Sequence, residues 1–284
     1  MKSLTHLVIL AMMITSGITA QENTHFTNPL IFDIVKGNYD PADYLPAFPV
    51  DDPYAISEDL INRISPDSMK ATLLALRTFH NRNTASDTVA ADQGIGAARK
   101  WILSQFDRYS TNQGGRLITG YLQFDQDVCG MERHKNVLAV LPGRDGSDPS
   151  CIIIEAHLDS RCADNCDINC LAEGMEDNGS GVALVLELAR IMSSYVYDHT
   201  IVFMTVTGEE QGLVGSNAFA DYAVTQNIPI KAVLNNDIVG GIICGETSSP
   251  PSCPGLNHID STQVRLFSFG GFNSAHKSLN RFIK

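Results

Sequence analysis

The segment CIIIEAHLDS, residues 151–160, decides the fold. Its continuous β-branched run predicts a strand buried on both faces. The run breaks at His157 into polar residues. Downstream, GSGVALVLELARIMSSY (179–195) predicts a strong helix, and TIVFMTVTGEE (200–210) a second buried strand. SNAFADYAVTQN (216–227) reads as a helix, IKAVLNNDIVG (230–240) as a strand and QVRLFSFGG (263–271) as a last strand. Upstream, NVLAVLPG (136–143) is a strand ended by Pro and Gly, GRLITGYLQF (115–124) a strand, and residues 94–109 a helix. Another helix begins at Pro66, with Ser65 placed to cap it. Strands alternating with helices predict an α/β fold with a mostly parallel central sheet flanked by helices. In such sheets ligands gather beyond the carboxyl ends of the strands.

The 284 residues are 44% hydrophobic and 18% charged, which fits a folded chain rather than a disordered one. Lys and Arg total 20 against 32 Asp and Glu, a net charge of −12. Such an acidic chain is a poor partner for the phosphate backbone, so no nucleic-acid binding is expected. Residues 1–20, with Lys2 before the apolar stretch Leu7–Ile14 and small residues up to Ala20, resemble a secretory signal peptide. A short membrane anchor is the alternative, but the apolar run falls well below the ~20 residues a span needs. Export to the periplasm or the exterior is expected, without stable membrane insertion. Residues 21–65, acidic and rich in Pro and Asp, read as an irregular N-terminal extension, with a cleavable pro-segment or a disordered arm as alternatives. Residues 66–284 form the main domain. Its end, SAHKSLNRFI (274–283), starts like an amphipathic helix and stops without a cap, which reads as truncation.

Seven cysteines leave at least one thiol unpaired. Cys151, opening a buried strand, is the candidate. Cys244 and Cys253 flank a Pro-rich loop and could close it. Cys162, Cys166 and Cys170 suit disulfides, with Cys129 as a possible partner, better than a thiolate zinc site, because their spacing is wrong for a zinc knuckle.

Three buried strands end in polar residues: His157-Leu158-Asp159, Gly208-Glu209-Glu210 and Asn235-Asn236-Asp237. A fourth group, Asp177, opens the helix at 179. Each has a bland reading on its own: a hydrogen-bonded core histidine, an acidic pair in solvent, a turn with a helix cap. Together they deliver carboxylates and one imidazole to one edge of the sheet. Unpaired, these anions would repel one another. A divalent cation relieves that, and the imidazole favours Zn²⁺ over Mg²⁺ or Ca²⁺.

The series His157-x-Asp159, GMEDNGSG with Asp177, GEE with Glu209 and Glu210, and NND with Asp237 resembles the secreted two-zinc aminopeptidases of the leucyl aminopeptidase type. That superfamily also holds the glutaminyl cyclases. The stretches TFHNRNT (78–84) and KNVLAVLPG fit as well. The resemblance spans roughly residues 66–240 and implies an aminopeptidase-like, zinc-dependent exopeptidase fold, incomplete at its C-terminus. It implies that Asp177 bridges two zincs, that His157 and Asp237 are terminal ligands of one and that Glu210 serves the other. It further implies that Asp159 accepts from the second nitrogen of His157 and fixes its tautomer. Glu209 would be the general base, moving a proton from the attacking water to the leaving amine. The family's last ligand, a histidine, finds no match: neither His258 nor His276 fits the motif.

The expectation is therefore a metallo-aminopeptidase acting on peptide or protein N-termini, with two zincs per complete chain. A glutaminyl-cyclase-like acyltransferase and an inactive peptidase-like binding domain are the competing readings. His157 and Asp237 argue against the first, and the presence of Glu209 with four ligands against the second.

Overall fold

Strand β4 (Cys151–His157) lies inside a six-stranded sheet of order β1-β2-β3-β5-β4-β6. The computed structural model describes residues 22–239, 241–244, 255–259, 261 and 266–283. The remaining strands are β1 (Glu22–Phe26), β2 (Ile118–Val128), β3 (Met131–Leu141), β5 (Thr200–Val206) and β6 (Ile230–Asn235). The helices are α1 (Pro29–Val35), α2 (Pro53–Arg63), α3 (Pro66–Arg77), α4 (Gly94–Asn112), α5 (Gly179–Met192), α6 (Val214–Gln226) and α7 (Ala275–Ile283).

The alternation along β4 and β5 serves two cores. Ile154, Ala156, Ile201 and Phe203 pack with Ile102 and Phe106 of α4 and Val182 and Leu186 of α5. Ile153, Val202, Met204 and Val206 face the other way, against Ile31 and Ile34 of α1 and Phe219 of α6. Burial on both sides is why these strands read as unbroken apolar runs. Helix α5 carries the chain from β4 to β5 along one face, and α6 carries it from β5 to β6 along the other. β5 and β6 therefore flank β4, and all three run parallel. The order turns back at β4, so a crevice opens beyond the carboxyl ends of β4 and β6.

The α/β class holds, but the sheet is mixed. The pairs β1–β2, β2–β3 and β3–β5 are antiparallel. The cause is local. β2 and β3 are joined through Cys129 and Gly130, both at positive φ, the conformation of a tight hairpin turn rather than a helical crossover. The mostly parallel sheet expected from the sequence is confined to β5-β4-β6.

Residues 22–65 are not irregular, in contrast to the sequence reading. β1 pairs with β2, and Ile31, Ile34 and Val35 are fully buried in the core. The Pro and Asp content of this segment is capping chemistry. Asn28-Pro29, Asp40-Pro41 and Asp52-Pro53 each open a helix or 3₁₀ turn, with the polar side chain accepting a backbone N–H and Pro at the first helical position. Ser65-Pro66 repeats the device, as expected, at α3. Smaller differences concern strand ends: β2 starts at Ile118, β6 stops at Asn235, and residues 266–271 form no strand. Residues 263–265 of that expected strand lie outside the described residues, as does the stretch 1–20. Among the described residues no helix is long and apolar enough to cross a membrane.

Candidate metal centre

His157, the last residue of β4, has a 2% exposed side chain, and its two ring nitrogens face different partners. Nε2 lies 3.0 Å from Asp177 Oδ1 and 3.6 Å from Asp237 Oδ1. Nδ1 lies 3.1 Å from the backbone oxygen of Asp159. Ligating atoms of His157, Asp177 and Glu210 all fall within 4.8 Å of one another. Asp237 reaches His157 but is not part of that trio.

Four loops build this geometry. Asp177 immediately precedes Asn178, the fully buried N-cap of α5. Asn178 Oδ1 accepts from the amides of Gly181 and Ile238, and its Nδ2 donates to Asn236 O at 2.8 Å. One amide side chain thus ties the Asp177 turn to the loop carrying Asp237. The close approach leaves no room at Gly181, where an added Cβ would lie 2.2 Å from Asn236 O and 2.5 Å from Asn178 Oδ1. Gly181→Ala is therefore expected to cost about 1–3 kcal/mol, the usual penalty of overpacking. It should also reduce zinc uptake by displacing Asp237. Denaturant unfolding and metal analysis of the folded fraction check both parts.

Glu209 and Glu210 follow β5 after a turn at Gly208, where φ is +72°. Their amides donate to the two carboxylate oxygens of Asp159, at 3.2 and 3.1 Å. This revises the contact expected for Asp159. Its carboxylate sits 3.6 Å from His157 Nδ1, and the nearer partner of that nitrogen is the Asp159 backbone carbonyl. The fully buried side chain fixes the Glu209–Glu210 loop instead. The guanidiniums of Arg82 and Arg99, both buried, oppose its charge from behind.

The electrostatics favour a cation. Burial would lower the pKa of His157, but Asp159, Asp177 and Asp237 outweigh it and push it up to about 12. His157 in turn pulls the Asp177 carboxyl below its ordinary value. Burial raises Glu209, with Glu210, Asp159 and Asp237 adding to the rise and His157 opposing it. Burial also raises Glu210, against its ion pair with Arg161. A cluster that draws positive charge this strongly suits a divalent ion. One imidazole among carboxylate oxygens fits the donor preferences of zinc.

The cysteines brace the same region. Cys129–Cys166 and Cys162–Cys170 are disulfides, and Cys151 is buried and free. The first bond ties the β2–β3 hairpin to the loop between His157 and Asp177, so no thiolate metal site forms there. Cys244 is also disulfide-bonded, and Cys253, its expected partner, lies outside the described residues.

Sequence reasoning placed His157, Asp159, Asp177, Glu209, Glu210 and Asp237 at one sheet edge, and the trio and its neighbours gather there. The helix cap expected at the Asp177 turn is Asn178, while the roles of Arg161 and Arg82 have no counterpart in the sequence reading. Asn178 stands inside the quoted GMEDNGSG and Arg161 directly follows HLDS, so both were in view. Only their contacts were not.

The α/β sheet thus carries a His–Asp–Glu trio at its carboxyl edge, the donor set of a candidate metal site. Residues 136–242 match peptidase family M28. A probable zinc metalloprotease of Pyricularia oryzae is 34% identical over 245 residues, covering 81% of this chain and 48% of the relative. The crystal structure of Legionella pneumophila LapA aminopeptidase is 26% identical with a TM-score of 0.53, covering 66% of this chain and 46% of that one. LapB from the same organism has a TM-score of 0.56 at 23% identity over 77% of this chain and 54% of that one, and carries the fold alone. The chain spans about half the length of the curated relatives it matches.

Proposed function

We propose that the protein is an exported zinc aminopeptidase that removes N-terminal residues from peptides. The observation carrying this reading is the mutual 4.8 Å approach of His157, Asp177 and Glu210 at the carboxyl edge of the sheet. His157, Asp177, Glu210 and Asp237 would hold the metal. Zinc bound there supplies Lewis acidity toward the scissile carbonyl and the attacking water. Glu209 is the general base. Its carboxylate takes a proton from water and returns it to the leaving amine, and its raised pKa brings it nearer the working pH of such a base. Asp159 holds the backbone of Glu209 and Glu210, so the base and one ligand move as a unit.

Two hollows share Met175 and Glu176, and the first of them reaches the cluster. One of 460 Å³ is lined by Arg161, Asp177 and Glu210 among others. The second, of 380 Å³, is lined by Leu73, Met175, Ile242 and Ile243 beside Glu176 and suits an apolar side chain. LapA is named an aminopeptidase, which supports the same reading. The test compares a leucine amide substrate with its N-acetylated form on the zinc-loaded full protein. The free amine should be cleaved and the blocked one spared. Equal cleavage of both, or cyclisation of N-terminal glutamine without hydrolysis, would overturn the proposal.

A further inference from the structure

After α3 the chain passes as HNRNT (80–84) beneath the loop that joins Ser160 to Asp177. The polar side chains of this short segment bind that loop's backbone. Asn81 Nδ2 donates to Cys170 O at 3.0 Å and to Asp167 O at 3.2 Å. Asn83 Nδ2 donates to Asn165 O at 2.8 Å. Arg82, fully buried, does the most. Its Nε donates to Leu158 O at 2.9 Å, Nη1 to Leu76 O at 3.2 Å and Glu173 O at 2.5 Å, and Nη2 to Gly174 O at 2.9 Å.

None of these four acceptors is a carboxylate, although the charges of Asp159 and Asp177 act on the guanidinium from farther off. Burying a guanidinium against carbonyls is costly, and core packing alone is met more cheaply by an apolar side chain. What the arginine accomplishes is a junction. Leu158 lies between His157 and Asp159, and Gly174 lies three residues before Asp177. One rigid, planar fork with several donors spans both. The loops are drawn so close that a Cβ on Gly174, whose φ is +50°, would stand 2.5 Å from Ser160 Cβ and 2.9 Å from Arg82 Nη2. Arg82 N also donates to Ser160 Oγ, which itself donates to Ala172 O.

We infer that Arg82 is a positioning residue that sets the separation of His157 and Asp177, and so the zinc affinity of the site, from beneath the loops and without touching the metal. The inference rests on the metal reading proposed above. Lysine keeps the charge but not the fork, so it cannot hold Leu158, Glu173 and Gly174 together.

Zinc dissociation constants are measured by chelator competition on the folded full protein and on Arg82→Lys, Arg82→Met and Gly174→Ala. Ile34→Ala, in the core on the far face of the sheet, is the stability control. The Arg82 and Gly174 variants should bind zinc at least ~10-fold more weakly, in the range found for groups that orient metal ligands. Ile34→Ala should lose comparable melting temperature with an unchanged Kd. Folded Arg82 variants with wild-type Kd, or an equal loss in Ile34→Ala, overturn the role of Arg82 alone. Failure of all three site variants to fold makes Arg82 a folding residue and overturns it too. A wild-type protein that takes up no zinc overturns the metal reading itself.

Discussion

Glu209→Gln is expected to lower kcat for peptide hydrolysis about 10²–10⁴-fold, the span attributed to a positioned general base, and to leave zinc content unchanged. The substitution isolates one property. Glutamine has nearly the shape of glutamate, but its amide cannot accept a proton from water. The loop should not move, because Glu209 is held through its backbone N–H to Asp159 and not through its carboxylate. The trio that defines the metal site is His157, Asp177 and Glu210, so metal analysis of the variant should match the wild type. A pH consequence goes with this. Burial, reinforced by Glu210, Asp159 and Asp237, holds the Glu209 carboxyl above the ordinary glutamate value, with His157 opposing. The base works deprotonated, so kcat/KM should rise with pH through a limb above the usual carboxylate range. Turnover retained in the Gln variant would remove Glu209 from the mechanism. Loss of zinc would make it a ligand instead.

The parts legible in the sequence were those written in local pattern. The apolar runs of β4 and β5 and the polar residues at their ends placed His157 and Glu210 at one edge, because a parallel strand must send its C-terminal residues there. Asp177 was legible through the Asn and Gly that follow it and start α5. The antiparallel half was not, because the turn at Cys129 and Gly130 carries no Asn-Gly signature and looks like loop. The Pro and Asp of residues 28–53 suggest an irregular extension by composition, whereas each pair is a cap followed by a first helical residue. Arg82 was the least accessible. Its partners are backbone carbonyls of Leu76, Leu158, Glu173 and Gly174, and a carbonyl has no side-chain identity to recognise. The contact of Asp159 with the amides of Glu209 and Glu210 was hidden for the same reason. Groups that touch a metal are chosen by element, and groups that hold those in place are chosen by reach.

Asp177→Asn is expected to abolish specific zinc uptake, weakening affinity by well over ~10²-fold, more than the loss of a group that merely orients a ligand. Asp177 Oδ1 is 3.0 Å from His157 Nε2, and its side chain is 47% exposed, so an isosteric amide fits the same space at small cost to the fold. What the amide removes is a full negative charge at the centre of the cluster. The cap of α5 belongs to Asn178, so the helix start is not disturbed. A ligand that binds only the folded state raises stability by about 2.7 kcal/mol at one hundred times its Kd. The wild-type melting temperature should therefore climb with added zinc, and that of Asp177→Asn should stay flat. Without zinc the two proteins should melt within a few degrees of each other. A zinc-dependent rise of equal size in both would show that the ion sits elsewhere. A collapse of the apo variant would mean that Asp177 serves the fold before it serves the metal.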